Sequence, residues 1–260
     1  MKNLTKMVLG SVGLMGLFAS TPAAFAQDAA AAPAPDWSLA GTLDAQSDYR
    51  FRGISQSNRN AVPQGALNLT GPEGFYVGTW VSEINWQVGV NNNPDIEWDI
   101  YGGKHFDLGG TDLNVEAYEY AYPDYNTAYV PGRPAASYFE GIFTLSHTFG
   151  PVALDAVYAV SPQFSLGTGT GNYIEGQAVL TLTDWLTLST NIGHQWVATA
   201  PSDYTHSDVG GTATWKSFSL DARYVSTTLN KVNCNFYMGT KNACAGGFVA
   251  TLSYNFALWP

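Results

Sequence analysis

Twelve stretches of this chain alternate apolar and polar side chains with period two: 37–52, 62–70, 74–86, 96–106, 111–122, 137–149, 151–161, 172–182, 185–196, 205–216, 218–229 and 246–256. Successive side chains of a strand point to opposite faces, so each stretch presents one apolar and one polar face. The last stretch is the clearest. Phe248, Ala250, Leu252, Tyr254 and Phe256 share one face, and Val249, Thr251, Ser253 and Asn255 share the other. The aromatic residues stand at both ends of the apolar face, where a bilayer-crossing strand carries its interfacial belts. An unpaired strand edge cannot sit in lipid, so the last strand must pair, and its natural partner is the first. The pattern predicts an all-β, transmembrane, antiparallel up-and-down β-barrel of about twelve strands.

The connections support this. After every second stretch they are short: Gly71-Pro72-Glu73, Asp107 to Gly110, Gly150, Thr183-Asp184 and Ser217. The others are longer, up to Asn230–Ala245. Outer-membrane barrels show this alternation of tight periplasmic turns and longer external loops. An even number of strands then leaves both chain ends on the periplasmic side.

Parity also assigns the charges. The apolar parity of the seventh stretch holds Val152, Leu154, Ala156, Tyr158 and Val160. That of the eighth holds Ile174, Gly176, Ala178, Leu180 and Leu182. The opposite, pore-lining parity carries Asp44, Asp48, Glu97, Asp99, Glu116, Glu140, Asp155, Glu175, Asp208 and Asp221, with Arg50, Arg52, Arg223 and Lys216 as its bases. An arginine or lysine on the lipid face at mid-bilayer costs roughly 2–4 kcal/mol, which explains the segregation. Glu83 and Glu119 share parity with apolar neighbours, so each lies at a rim or follows a bulge. An inner wall with more acids than bases concentrates cations, which predicts a porin for small polar solutes with weak cation preference. The alternative is a filled or narrow barrel closed by its own salt bridges, since twelve strands fall between the filled eight-stranded and the open sixteen-stranded barrel.

Residues 1–26 have the form of a secretory signal peptide: Lys2 and Lys6, the apolar run Val8 to Ala19, and Ala24-Phe25-Ala26 before Gln27. An Ala/Pro-rich periplasmic tail follows over 27–36, and the barrel occupies 37–260. Acids outnumber bases 21 to 11, and cleavage would remove two further lysines. Such a chain excludes nucleic acid as a partner, because phosphate binding needs a basic surface. The expected partners are outer-membrane lipid, the barrel-assembly machinery through the last strand, and small polar solutes.

Several smaller features bear on function. Cys234 and Cys244 share the sixth external loop and read as a disulfide in an exported chain. Tyr118, Tyr120, Tyr122 and Tyr125 read as an interfacial belt rather than as a stacking slide for sugars. Tyr125 to Ala136 is the loop most suited to fold inward. Asn91 to Asp95 and Asp124 to Asn126 supply oxygens but lack the spacing of a defined Ca²⁺ loop, so they read as solvated turns. Neither cofactor nor metal is expected. A barrel-embedded lipid hydrolase needs nucleophile, base and orienting group on one wall, and none of His105, His147, His194 and His206 stands in register with such partners.

The segment Ser47-Asp48-Tyr49-Arg50-Phe51-Arg52-Gly53-Ile54-Ser55-Gln56-Ser57 carries a family resemblance. With Gly74 to Trp80, Glu97 to Gly103 and Tyr138-Phe139-Glu140, it resembles the TorF family of putative porins over essentially the whole chain after the leader. The resemblance implies an outer-membrane barrel with a channel role and supplies no catalytic residue and no defined solute. The chain departs from the usual aromatic ending of outer-membrane proteins, since Ala257 to Pro260 follow Phe256.

Overall fold

The computed structural model describes residues 37–88, 93–125 and 135–259. Twelve antiparallel strands close into one barrel. They are β1 (Ser38–Gln46), β2 (Val62–Thr70), β3 (Phe75–Glu83), β4 (Ile96–Asp107), β5 (Thr111–Ala121), β6 (Tyr138–Phe149), β7 (Val152–Ser161), β8 (Gly171–Thr183), β9 (Leu186–Val197), β10 (Tyr204–Trp215), β11 (Phe218–Thr227) and β12 (Gly247–Trp259). Each strand pairs with its sequence neighbours, and β1 pairs with β12 from Gln46↔Thr251 to Leu39↔Trp259. No sheet edge is therefore left open to hydrocarbon. The final strand runs past Phe256 to Trp259, with a register shift opposite Leu39 and Ala40. The departure at the chain end is thus an extension of the closing strand.

The exterior is apolar. Leu43, Leu67, Ile100, Phe143, Leu145, Leu154, Ile174, Leu188, Ile192, Val209, Leu220 and Leu252 are all exposed. Exposed aromatic residues flank this band. Trp98, Phe139, Tyr158, Trp196, Tyr224 and Phe248 lie toward the long-loop end, and Phe75, Phe106, Phe149, Trp185, Trp215 and Phe218 toward the short-turn end. An apolar band between two aromatic girdles is the surface a barrel presents to a bilayer. Glu83 and Glu119 follow the outward parity of their strands, and the ladders around them run without a register shift. Glu83 is the last residue of β3, opposite Ile96 at the start of β4, which places it on the long-loop rim.

Two expected element boundaries change. The third strand ends at Glu83, and the next residues leave the wall, with Ile84 and Trp86 buried. The first strand ends at Gln46 instead of continuing through Arg52. The turn is made by local polar groups. Ser47 still meets the ladder, its amide donating to Ala250 O and its hydroxyl accepting from Ala250 N. Beyond it, the Asp48 carboxylate accepts from Arg50 Nε (2.8 Å) and from the Ser55 hydroxyl (2.5 Å). A strand whose next side chains bond to each other, not across the ladder, has no reason to continue. Residues 47–61 instead turn into the barrel, carrying a short hairpin in which Arg50 pairs with Ser55 and Phe51 with Ile54.

Candidate functional site

The lumen and the hairpin inside it form the site. Arg52 and Gly53 make the hairpin tip, with φ of 45° and 83°. A two-residue hairpin loop of this hand needs positive φ at both positions and normally takes Asn, Asp or Gly. Gly53 meets the requirement without cost, and a side chain there would strike His206, Ser226 and Thr227. Arg52 does not; a left-handed L-residue costs roughly 1–2 kcal/mol. The strained backbone aims the guanidinium across the lumen. Its Nη1 and Nη2 donate to Glu140 Oε1 (3.0 Å) and Oε2 (2.6 Å), and Nη1 also donates to Gln195 Oε1 (2.5 Å). The guanidinium carbon lies 3.9 Å from the centre of the Tyr173 ring. Arg52 is 1% exposed and Glu140 0%. A bidentate pair this dry is geometrically specific, and removing one partner strands a buried charge.

The rest of the hairpin meets the wall through aromatic residues. Tyr49 stacks edgewise on Trp80 at 5.3 Å and donates to Glu97 (2.9 Å). Phe51 meets Tyr120 edgewise at 5.5 Å. On the wall behind them runs a ladder of rings, Tyr101, Tyr118, Tyr120 and Tyr138, which Phe164 continues from the connection after β7, with successive centroids 4.4–5.1 Å apart. The wall acids are held by phenols: Asp99 by Tyr118 (3.0 Å), Glu97 also by Tyr122 (3.2 Å), and Glu116 by Tyr76 (2.5 Å).

From outside the barrel, the segment after the loop helix α1 (Lys231–Met238) lies against the hairpin. Ser55 N donates to Ala243 O (2.9 Å), and Arg50 and Arg59 both donate to Ala245 O (2.9 and 3.0 Å). The Cys234–Cys244 disulfide ties this segment to α1. The helix itself is set by Asn230, whose side chain accepts from the amides of Val232 and Asn233, and by Gly239 at φ 68°.

A different surface lies nearer the short-turn end of the strands that hold Arg52. Ser146, Asp155, Gln177, Asn191 and Asp208 stand directly opposite one another across β6 to β10, all half-buried and inward. Arg223 closes the end of this row, bidentate to Asp221 (2.6 and 2.8 Å) and donating to Asp208 (2.9 Å).

Each residue assigned to the inner wall can now be placed. Asp44, Glu97, Asp99, Glu116, Glu140, Asp155, Glu175, Asp208, Asp221 and Arg223 project inward from strands. Asp48, Arg50 and Arg52 are interior but lie on the in-folded segment, not on β1, because the strand ends before them. Lys216 is not inside. It occupies the turn between β10 and β11 with φ 55°, its ammonium 4.7 Å from the Trp215 ring centre. Tyr118, Tyr120, Tyr122 and Tyr125 form no interfacial belt; all four are buried in the interior. The inward-folding segment is 47–61; of the stretch expected to do so, 126–134 lie outside the described residues. Residues 89–92 do as well, and Asp95 N donates to Asp124 Oδ2 (2.6 Å) between the two oxygen-rich loops. The histidines are dispersed, bonded to Asp112, Thr111, Thr205 and Tyr173.

Sequence parity alone could not find the hairpin. Arg52-Gly53 is the one signal for it, a two-residue loop flanked by Phe51 and Ile54, and arginine is an uncommon residue for such a loop.

An apolar-jacketed, closed, twelve-stranded barrel with a polar interior has the fold of outer-membrane porins. Residues 30–256 match the bacterial family described as Gcw_chp, bacterial protein of unknown function, and the chain belongs to it. No curated protein matches the chain. Among solved structures it is similar to the KdgM porin, at 8% identity and a TM-score of 0.54, over 84% of this chain and 99% of that one; one such structure is of KdgM in complex with disordered oligogalacturonate. It is also similar to the COG4313 outer membrane channel from Pseudomonas putida F1, at 12% identity and a TM-score of 0.49, over 86% and 97% of the two chains.

Proposed function

We propose that this protein is an outer-membrane channel for small polar solutes, weakly cation-preferring, with its chain ends on the periplasmic side and a lumen constricted by the 47–61 segment. The observation that carries this reading is the hairpin itself. Here a loop enters the lumen from one end and leaves a polar row, Ser146 to Asp208, uncovered on one wall. The fold shared with the KdgM porin and the resemblance to the TorF family support the same reading. The half-buried acids of the wall, Asp44, Asp155, Glu175 and Asp208, exceed the one inward base on the described strands, Arg223. A negative wall in a low-dielectric barrel favours cations. It also argues against a carboxylate-rich polymer such as the oligogalacturonate seen with KdgM.

A second reading, a filled barrel without transport, has its own observation. Arg50, Arg52, Tyr49, Tyr118, Tyr120, Tyr173 and Gln195 are each under 2% or at 2% exposed, so the long-loop half is packed. Recording from the purified protein in planar bilayers separates the two. Discrete steps with cation-over-anion reversal potentials support the channel; a lipid-level baseline over long recordings supports the filled barrel and removes the channel reading.

A further inference from the structure

Arg52 is bound in its recess the way a ligand is bound. Glu140 presents both oxygens to the two terminal nitrogens, Gln195 adds an amide oxygen, and Tyr173 offers its ring face at 3.9 Å. Tyr120 donates to Glu140 Oε2 (3.2 Å) from behind, fixing the carboxylate. Fork, amide and ring face together match a planar guanidinium and not a compact ammonium, which can neither bridge both oxygens in plane nor stack. The recess belongs to β6, β8 and β9, whereas its occupant sits on a hairpin held in a left-handed tip conformation foreign to arginine. A site built on a rigid wall and filled by a strained, separately anchored side chain is a site with a built-in competitor.

We infer that the Glu140–Gln195–Tyr173 recess recognises guanidinium-bearing organic cations, and that such a solute displaces Arg52 and with it the hairpin. This rests on the channel reading for its physiological sense, but the recess itself can be tested without conduction.

The first experiment uses Arg52→Gly, which suits the tip turn, in detergent, with methylguanidinium and methylammonium as probes in calorimetric titration. The expected result is binding of methylguanidinium at least about tenfold tighter than of methylammonium, lost by at least about tenfold in Arg52→Gly/Glu140→Gln, as expected for a bidentate charge-assisted pair. Equal affinity for the two probes, no binding of either, or unchanged binding in the double variant overturns the inference. The second uses the unaltered protein, so that it holds whether or not Arg52→Gly refolds. Hydrogen exchange at 50–55 should accelerate with millimolar L-arginine and not with L-lysine; no difference between them counts against the recess. Guanidinium binding without bilayer conductance would leave the recess standing and remove the channel. Conductance without probe discrimination would do the reverse.

Discussion

Two regions of the same lumen wall are built on opposite principles. The wall of β4 to β6 beneath the hairpin is crowded with rings, and its acids are bonded to phenols or to Arg52 across the barrel. The row from Ser146 to Asp208 across β6 to β10 is small, polar and half-buried, and its one base, Arg223, bonds to acids on its own and the adjacent strand. The first region depends on a segment that is not part of the barrel, and the second is complete within it. Closure and wall chemistry are therefore separable in this protein. One can be altered by changing the hairpin, the other by changing the row.

The largest effect should follow from removing the hairpin. Replacing 49–56 by a short Gly/Ser linker takes the aromatic residues and both interior arginines of that segment out of the lumen and leaves all twelve strands. Single-channel conductance should rise several-fold, since the barrel would then be filled only by its wall side chains. Unchanged conductance would show that the rings of β4 to β6 close the lumen unaided, and the contrast between the regions would fail.

Next come the two arginines. Glu140→Gln leaves the Arg52 guanidinium dry and without a counter-charge, a change that costs about 3–5 kcal/mol when a buried pair is broken. The loss should appear as release of 47–61 in hydrogen exchange, with the barrel strands still protected. Asp208→Asn leaves Arg223 its bidentate bond to Asp221, so its cost should be smaller, about 1.5–3 kcal/mol, that of one charge-assisted hydrogen bond. Comparable losses in the two variants would mean that the hairpin is no more dependent on its one cross-lumen pair than the wall is on its local ones.

Smaller again is the effect of the disulfide. Cys234→Ser with Cys244→Ser frees the segment whose Ala243 and Ala245 carbonyls hold Ser55, Arg50 and Arg59. A loop this short contributes at most about 3 kcal/mol in the chain-entropy account, and most of it falls on the external loop. Exchange should rise in 240–246 and, more weakly, in 50–59, with barrel melting in detergent unchanged. Melting that falls with the loop would show that the disulfide supports the barrel itself.

The barrel was legible from period two because hydrocarbon outside and polar interior impose opposite demands on successive residues of every strand. That constraint placed Asp155, Glu175, Asp208, Asp221 and Arg223 inward. It lapses where a segment is surrounded by protein on all sides. Tyr49 and Phe51 face wall rings and Arg52 faces Glu140, so alternation there reports hairpin pairing and mimics a continued strand. The tyrosines of β5 misled for a related reason. Phenols are ordinarily placed at a bilayer interface, and only the acids opposite them, Asp99, Glu140 and Glu97, reveal that these rings bond inward. Those acids lie on neighbouring strands, and no linear pattern brings Tyr118 to Asp99 or Tyr120 to Glu140 before the register is known. The twist at Arg52 was hidden most deeply, since arginine is not a residue that announces a left-handed turn.

The smallest expected effect falls on the polar row and tests whether its charge acts on passing ions at all. Asp155 lies between Ser146 and Gln177, half-buried, and no ion pair is formed with it among those of the described residues. Asp155→Asn preserves its shape and its contacts with the row while removing one charge. It leaves the hairpin contacts untouched, so conductance should change by no more than roughly twofold while the cation-over-anion permeability ratio falls. Lowering the salt should enlarge the difference, because the Debye length grows from about 8 Å at 0.15 M to about 30 Å at 0.01 M and the charge then acts across the lumen. A ratio that stays fixed at both salt concentrations would assign selectivity to the phenol-held acids of β4 and β5. Solutes would then be sorted where the hairpin lies, and the row would serve only as a wetted passage. A ratio that falls would put selection and closure at different depths of the lumen, because the row lies nearer the short-turn end than the Arg52 recess on the same strands.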